Sequence, residues 1–175
     1  SKWLKYFVFN YIFAASIHKR MKYTYFLMSI LLVVGSCKNG TEEAKLKWIT
    51  IEEASKIAEG NNDKKFLVDV YTDWCGWCKV MDEKTFTDPE LIKYLNEHFY
   101  VVKFNAEQKE TVTYKGKQYK WQQAGRNGIN MLGYELLNGK MSYPSLVYLN
   151  SNLEPIRVSP GYKDTERLLA ELQSL

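Results

Sequence analysis

The chain has 175 residues, of which 46% are hydrophobic and 15% aromatic, enough for one domain with a substantial core and an appendage. The formal net charge is only +4, and from Glu42 onward lysines are interleaved with acids, with no long basic run. That pattern argues against a nucleic-acid partner.

Residues 1–40 differ in character from the rest. His18-Lys19-Arg20-Met21-Lys22 is basic, Tyr23 to Val34 is mostly apolar, and Gly35, Ser36 and Cys37 come after it. A basic patch, a short apolar run and small residues describe a secretory signal, here residues 21–36. The run is too short for a membrane-spanning helix, which needs about 20 residues. Val34-Gly35-Ser36-Cys37 resembles the lipobox of bacterial lipoproteins, which implies Cys37 as the lipidated first residue of the mature chain. Met21-Lys22 reads as a natural start, so residues 1–20 are expected to be an over-extended N-terminus. The alternative is that Trp3 to Ile17 associates with a membrane. Residues 37–45 are polar beyond Cys37 and are expected to be a tether. Residues 46–175 are expected to form the folded domain.

Within that domain Thr50-Ile51-Glu52-Glu53 is a capping-box pattern, and Ile51, Ala54, Ile57 and Ala58 repeat at helical spacing. The spacing predicts a helix from Thr50 to Glu59. Phe66 to Tyr71 is apolar nearly throughout and predicts a strand covered on both faces. Asp69 interrupts it. A carboxylate there is costly to bury unless it is used. Either Asp69 points outward at a strand end, or it is a buried acid with a raised pKa beneath the cysteines six and nine residues on.

Those cysteines lie in the run Trp74-Cys75-Gly76-Trp77-Cys78-Lys79. A strand that leads into Cys-x-x-Cys at the start of a helix is a redox-site arrangement. The helix N-terminus supplies free N–H groups and partial positive charge, which favour the reactive thiolate. Helical character runs from Lys79 to Lys84. Thr87-Asp88-Pro89-Glu90 reads as a second capping box, opening a helix with Leu91, Ile92, Leu95 and Phe99 on one face. Tyr100 to Asn105 is the next strand, and Lys103 within it reads as an edge-facing lysine. Thr111–Tyr114 and Gln118–Trp121 predict a hairpin about Lys115-Gly116-Lys117. Ile129 to Leu137 predicts a short helix. Ser145–Asn150 and Pro155–Val158 predict an antiparallel strand pair. Lys163 to Leu175 predicts a final helix with Leu168, Leu169 and Leu172 as its stripe, capped by Asp164 or Thr165. This order implies an α/β fold with a mixed sheet and helices on both faces.

These pieces together resemble the thioredoxin family. Phe66 through Lys79 matches that family's strand-to-active-site run. Asp69 falls on its buried acid, Lys103 on the lysine beside that acid, and Trp74 on the tryptophan before the first cysteine. Tyr143-Pro144-Ser145 falls on its cis-proline loop, and Gly161 near the glycine before its last helix. The similarity spans about Trp48 to Leu175. Trp77 stands where thioredoxin proper has proline, and more chain separates Asn105 from Pro144 than a minimal thioredoxin uses. The run from Cys75 to Glu90 is closer to a branch of small envelope lipoproteins with a Cys-Gly-Trp-Cys site. Residues 106–142 then read as a branch-specific surface near the active site.

The resemblance implies a thiol–disulfide oxidoreductase with a redox-active Cys75–Cys78 pair and no other cofactor. Cys75 would be the attacking thiolate and the more exposed cysteine, and Cys78 the resolving one. Asp69, tuned by Lys103, would take the proton from Cys78. Pro144 would place Tyr143 beside the cysteines, and Trp77, Tyr143 and Pro144 would contact substrate. The expected partners are disulfide-containing envelope proteins, a membrane or periplasmic electron donor and, through the lipid, the membrane. The expected state is a monomer and the expected direction reduction. Two other readings stand beside this one. The pair could bind a soft metal such as Cu(I), although only His18 and His98 could add imidazoles. Alternatively the domain is a non-catalytic binding module, with Tyr114, Tyr119 and Trp121 as an aromatic patch.

Overall fold

The computed structural model describes residues 45–60, 63–125 and 127–175. Cys37, the expected signal over residues 21–36 and the expected over-extension over residues 1–20 therefore lie outside the described residues. Among the described residues no helix is long and apolar enough to cross a membrane.

Trp48–Ile49 forms a two-residue strand, β1, that no periodicity in the sequence marks. Thr50 then caps α1 (Ile51–Ala58) with a complete capping box. Its hydroxyl accepts from the Glu53 N–H at 3.1 Å, and the Glu53 carboxylate accepts from the Thr50 N–H at 2.7 Å. Two helix-end donors are thereby satisfied. Strand β2 (Lys65–Tyr71) comes next, with Phe66 to Val70 fully covered. Helix α2 (Gly76–Lys84) starts one residue after Cys75, earlier than the apolar spacing alone implies.

Helix α3 (Pro89–His98) corrects one expectation. Its cap is Asp88, whose carboxylate accepts from the N–H groups of Glu90 and Leu91 at 2.9 and 3.1 Å. The Thr87 hydroxyl instead donates back to the Glu83 carbonyl at 2.8 Å. A carboxylate satisfies two end donors where a hydroxyl satisfies one, and Pro89 fits the first turn. Strand β3 (Phe99–Asn105) then runs parallel to β2.

The stretch before the Tyr143–Pro144 loop holds two hairpins where one was expected. In the first, β4 (Val112–Tyr114) pairs with β5 (Lys117–Tyr119) around Lys115 and Gly116, both at positive φ. Trp121 is not part of it. It opens a second hairpin, in which β6 (Trp121–Ala124) pairs with β7 (Asn127–Asn130). Gly125 makes the turn at φ 61°. Gly128 lies under the Trp121 ring, where a Cβ would sit 1.8 Å from a ring carbon. Replacing Gly128 with alanine must push the indole aside, so it should cost about 1–3 kcal/mol, read as a lower Tm. An unchanged Tm would show that the ring is free to leave.

Helix α4 (Met131–Leu136) is capped by Asn130, whose side chain accepts from the Leu132 N–H, so it begins two residues after the expected Ile129. Strands β8 (Ser145–Leu149) and β9 (Pro155–Pro160) pair antiparallel. Helix α5 (Thr165–Gln173) is capped by Asp164. Lys163 lies outside it, contrary to expectation. It is almost fully buried, and its ammonium donates to the carbonyls of Ser159, Pro160 and Gly161.

The main sheet has the order β1-β3-β2-β8-β9, parallel across β1, β3 and β2 and antiparallel from β2 to β9. Side chains alternate along a strand, so each strand feeds two cores. Phe66, Val68 and Val70 join α1, the first hairpin and α4 on one face. Leu67 joins Met81 of α2, Leu91 and Leu95 of α3, and Leu168 and Leu172 of α5 on the other. Tyr114 and Tyr119 belong to the first core, each 5% exposed. Their hydroxyls donate to the Leu153 carbonyl and the Glu135 carboxylate. They are packing residues and form no exposed aromatic patch.

Candidate redox site

Alternation also decides where Asp69 points. It is two residues from Leu67 and so shares the face that α2 covers. In register with it on β3 is Lys103, two residues from Val101 on the same face. Asp69 is 1% exposed, so the outward-facing reading is excluded. Its Oδ2 accepts from the Lys103 ammonium at 2.6 Å. Its Oδ1 is buried with no protein partner.

Lys103 is not edge-facing. It bridges Asp69 on β2 to Asp82 on α2 and lies over the rings of Trp48 and Tyr71, each with its centroid 4.9 Å away. Burial pushes the Asp69 carboxyl up from 3.8 to about 6, with the Lys103 charge and hydrogen bond holding it back. For Lys103, burial pulls the ammonium down, but the two carboxylates outweigh it and leave its pKa raised. The difference lies in their settings. Asp69 is buried against one cation, whereas Lys103 has two anions and a partly exposed side chain.

Cys75 is the N-cap of α2. Its backbone N–H donates to the Thr72 carbonyl at 3.1 Å, and its sulfur accepts from the Cys78 N–H at 3.1 Å. Cys75 and Cys78 are joined by a disulfide, with their α-carbons 5.3 Å apart. An expected contrast between them is absent: Cys75 is 4% exposed and Cys78 3%. Residue exposure therefore does not separate the two in the disulfide form.

Trp74, just before the pair, and Trp77, between its two cysteines, stand in solvent, 60% and 62% exposed. Trp74 meets Tyr143 edge-on at 5.8 Å, which brings the Tyr143–Pro144 loop beside the cysteines. The peptide between Tyr143 and Pro144 is cis. The Pro144 carbonyl accepts from the Gly161 N–H at 2.8 Å. The next residue, Tyr162, tilts against Trp77 at 5.4 Å. Burial pushes the Tyr143 hydroxyl up to about 12, and the Glu107 charge adds to the shift.

Sequence reasoning did not single out Asp82, Glu107 or Tyr162. For Asp82 a signal existed, because it is four residues after Cys78 and so lies on the same helix face. Glu107 accepts from the Trp74 indole N–H at 3.0 Å, and nothing in its sequence context marks it. His98 ends α3 with more than half of its side chain exposed, against Tyr94. Among the described residues no group of three or more His, Cys, Asp or Glu is placed to hold a metal ion.

A cysteine pair at a helix start, reached from a central strand of a mixed sheet that carries a buried acid, defines a class of protein. The chain belongs to the thioredoxin-like domain family, whose match covers residues 51–175. Among solved structures it is similar to the oxidoreductase DsbH, at 16% identity over 80% of this chain and 90% of that one, with a TM-score of 0.55. It is similar to a candidate disulphide isomerase from Bacteroides thetaiotaomicron, at 28% identity over 73% and 88%, with a TM-score of 0.51. A thioredoxin from Thermus thermophilus shares 19% identity over 74% and 86%, with a TM-score of 0.52. No curated protein matches the chain. The fold is thus thioredoxin-like, and the chain carries a Cys75–Cys78 disulfide at the start of α2.

Proposed function

We propose that the protein reduces disulfides of other proteins in a bacterial cell envelope, tethered there through lipid on Cys37. The observation that carries the redox reading is the Cys75–Cys78 bond at the N-terminus of α2, with Asp69 buried on the sheet face below. In the dithiol form the Cys75 thiolate attacks one sulfur of a substrate disulfide. That bond breaks, and the departing sulfur leaves as a thiolate and takes a proton. Cys78 then loses its proton to the Asp69 carboxylate and attacks the Cys75 sulfur. The substrate departs with both of its sulfurs reduced, and the Cys75–Cys78 bond closes. Two electrons have passed from the protein to the substrate, so a membrane or periplasmic dithiol donor must restore the pair.

The Cys78 N–H on Cys75 and the helix terminus favour the thiolate that starts the sequence. The Asp69–Lys103 pair supports reduction as the direction. The leader pattern before Cys37 supports the envelope and the anchor. The Bacteroides neighbour's description favours isomerisation as a second reading. That route shares the Cys75 attack and differs in returning the substrate thiol to another pairing. Equilibration with glutathione tests the direction. Reduction predicts a potential near thioredoxin's, about −270 mV, and a value near −120 mV would overturn it.

A further inference from the structure

The second hairpin belongs to neither the main sheet nor the first hairpin. Its β6 strand is largely exposed, so the core does not require it. It is nonetheless fixed in place. The Asn130 N–H donates to the Ala106 carbonyl at 2.8 Å, and the Asn130 side chain to the Glu110 carbonyl at 3.0 Å. The Trp121 ring lies on Gly128. The two Asn130 bonds stitch β7 to the segment that leaves β3, which carries Glu107, and the Trp121 ring holds β6 to β7.

Glu107 joins the hairpin to the redox site. One carboxylate oxygen accepts from the Asn127 side-chain amide at 3.2 Å, and the other from the Trp74 indole at 3.0 Å. Its own N–H is held by the Asn105 side chain at 2.9 Å. Tyr143, Trp74, Glu107 and Asn127 thus form a continuous line from the cis-peptide loop, past the residue before Cys75, to the turn of the hairpin.

Resting on the redox reading above, we infer that the β6–β7 hairpin is a wall of the substrate groove and contacts an extended polypeptide segment beside the cysteine under attack. Glu107 and Asn127 are its positioning residues. A four-residue strand is about 13 Å long, which matches about four residues of extended chain. A small disulfide has no extended segment to lay along that wall. The hairpin therefore confers a preference for polypeptide disulfides over small ones.

The test uses the Cys78→Ser protein, loaded at Cys75 by exchange either with the disulfide-linked dimer of a short unstructured one-cysteine peptide or with 2-hydroxyethyl disulfide, one thiol leaving in each case and the peptide or 2-mercaptoethanol staying on Cys75. Amide exchange is then monitored across residues 121–130. The peptide adduct should slow exchange there by about tenfold relative to the mercaptoethanol adduct. Equal exchange in the two adducts overturns the inference while leaving the redox reading intact. Failure of both adducts to form sinks the redox reading and this one with it. In the otherwise native protein, Asn127→Ala should raise KM for insulin by about fivefold and leave both kcat and the rate with 2-hydroxyethyl disulfide unchanged. Equal loss on both substrates overturns the inference.

Discussion

Replacing Cys75 with serine should reduce disulfide exchange by about a thousandfold or more, whereas replacing Cys78 with serine should stop the reaction halfway. The asymmetry originates at the start of α2. Only Cys75 holds the N-cap position, where its sulfur accepts the Cys78 N–H and faces the positive end of the helix. A serine hydroxyl there stays protonated and does not attack sulfur. With Cys78→Ser the first attack still occurs, but nothing resolves the mixed disulfide, and the adduct should accumulate on Cys75. Mass spectrometry of each variant after exposure to a disulfide substrate reads the difference. Adducts that form on Cys78 of the Cys75→Ser protein as fast as on Cys75 of the other would reverse the assignment of roles.

Asp69→Asn should make the protein more stable at neutral pH and a poorer catalyst. The folded protein holds a proton on Asp69 up to about pH 6, and the unfolded chain releases it near 3.8. Between those values the folded state binds more protons, so stability falls as pH rises through the window. The total is on the order of 3 kcal/mol, present below the window and lost above it. Asparagine mimics the protonated acid at every pH, so the variant should keep that stability at pH 7. Its cost appears in the second chemical step. Cys78 would lack a base, and resolution of the mixed disulfide should slow by about a hundredfold. Denaturant unfolding across pH 4–7 and stopped-flow resolution of a preformed adduct measure the two halves. A variant that is no more stable at pH 7, or that resolves at the wild-type rate, contradicts the account of Asp69.

Much of the fold and site was legible in the sequence because it rests on short-range periodicity. The continuous apolar run from Phe66 to Tyr71 marks a strand covered on both faces, and a lone carboxylate in it marks Asp69. Thr50 and Glu53 mark the first cap. What was hidden depends on residues that meet only through the fold. Read from its own strand Lys103 is an edge-facing lysine; only the family resemblance set it beside Asp69, and the pairing of β3 in register with β2 shows why it lies there, while its partnership with Asp82 was not legible. The second hairpin was hidden for a different reason. Its strands are four residues each, and its turn rests on Gly125 and on a glycine packed under an indole, which leaves no apolar alternation to read. Tyr114 and Tyr119 show the opposite failure, because aromatic residues in a hairpin look the same whether they face solvent or a core. The reading of Cys37 rests on its leader pattern alone.

The outer strand β9 bears on how the protein would meet the polypeptide substrates proposed for it. It begins and ends on proline, at Pro155 and Pro160, and carries Arg157 between them. Proline offers no N–H, and a cation on a sheet margin discourages a visiting strand. Incompletely folded polypeptides carry strands in search of a partner. A catalyst that handles them risks being recruited into their aggregates. The interrupted hydrogen-bonding row of β9 gives such chains little to zip onto. On the proposed function, substrate chains would be left to engage at the redox site and the hairpin wall beside it, contacts that end when the chemistry is complete.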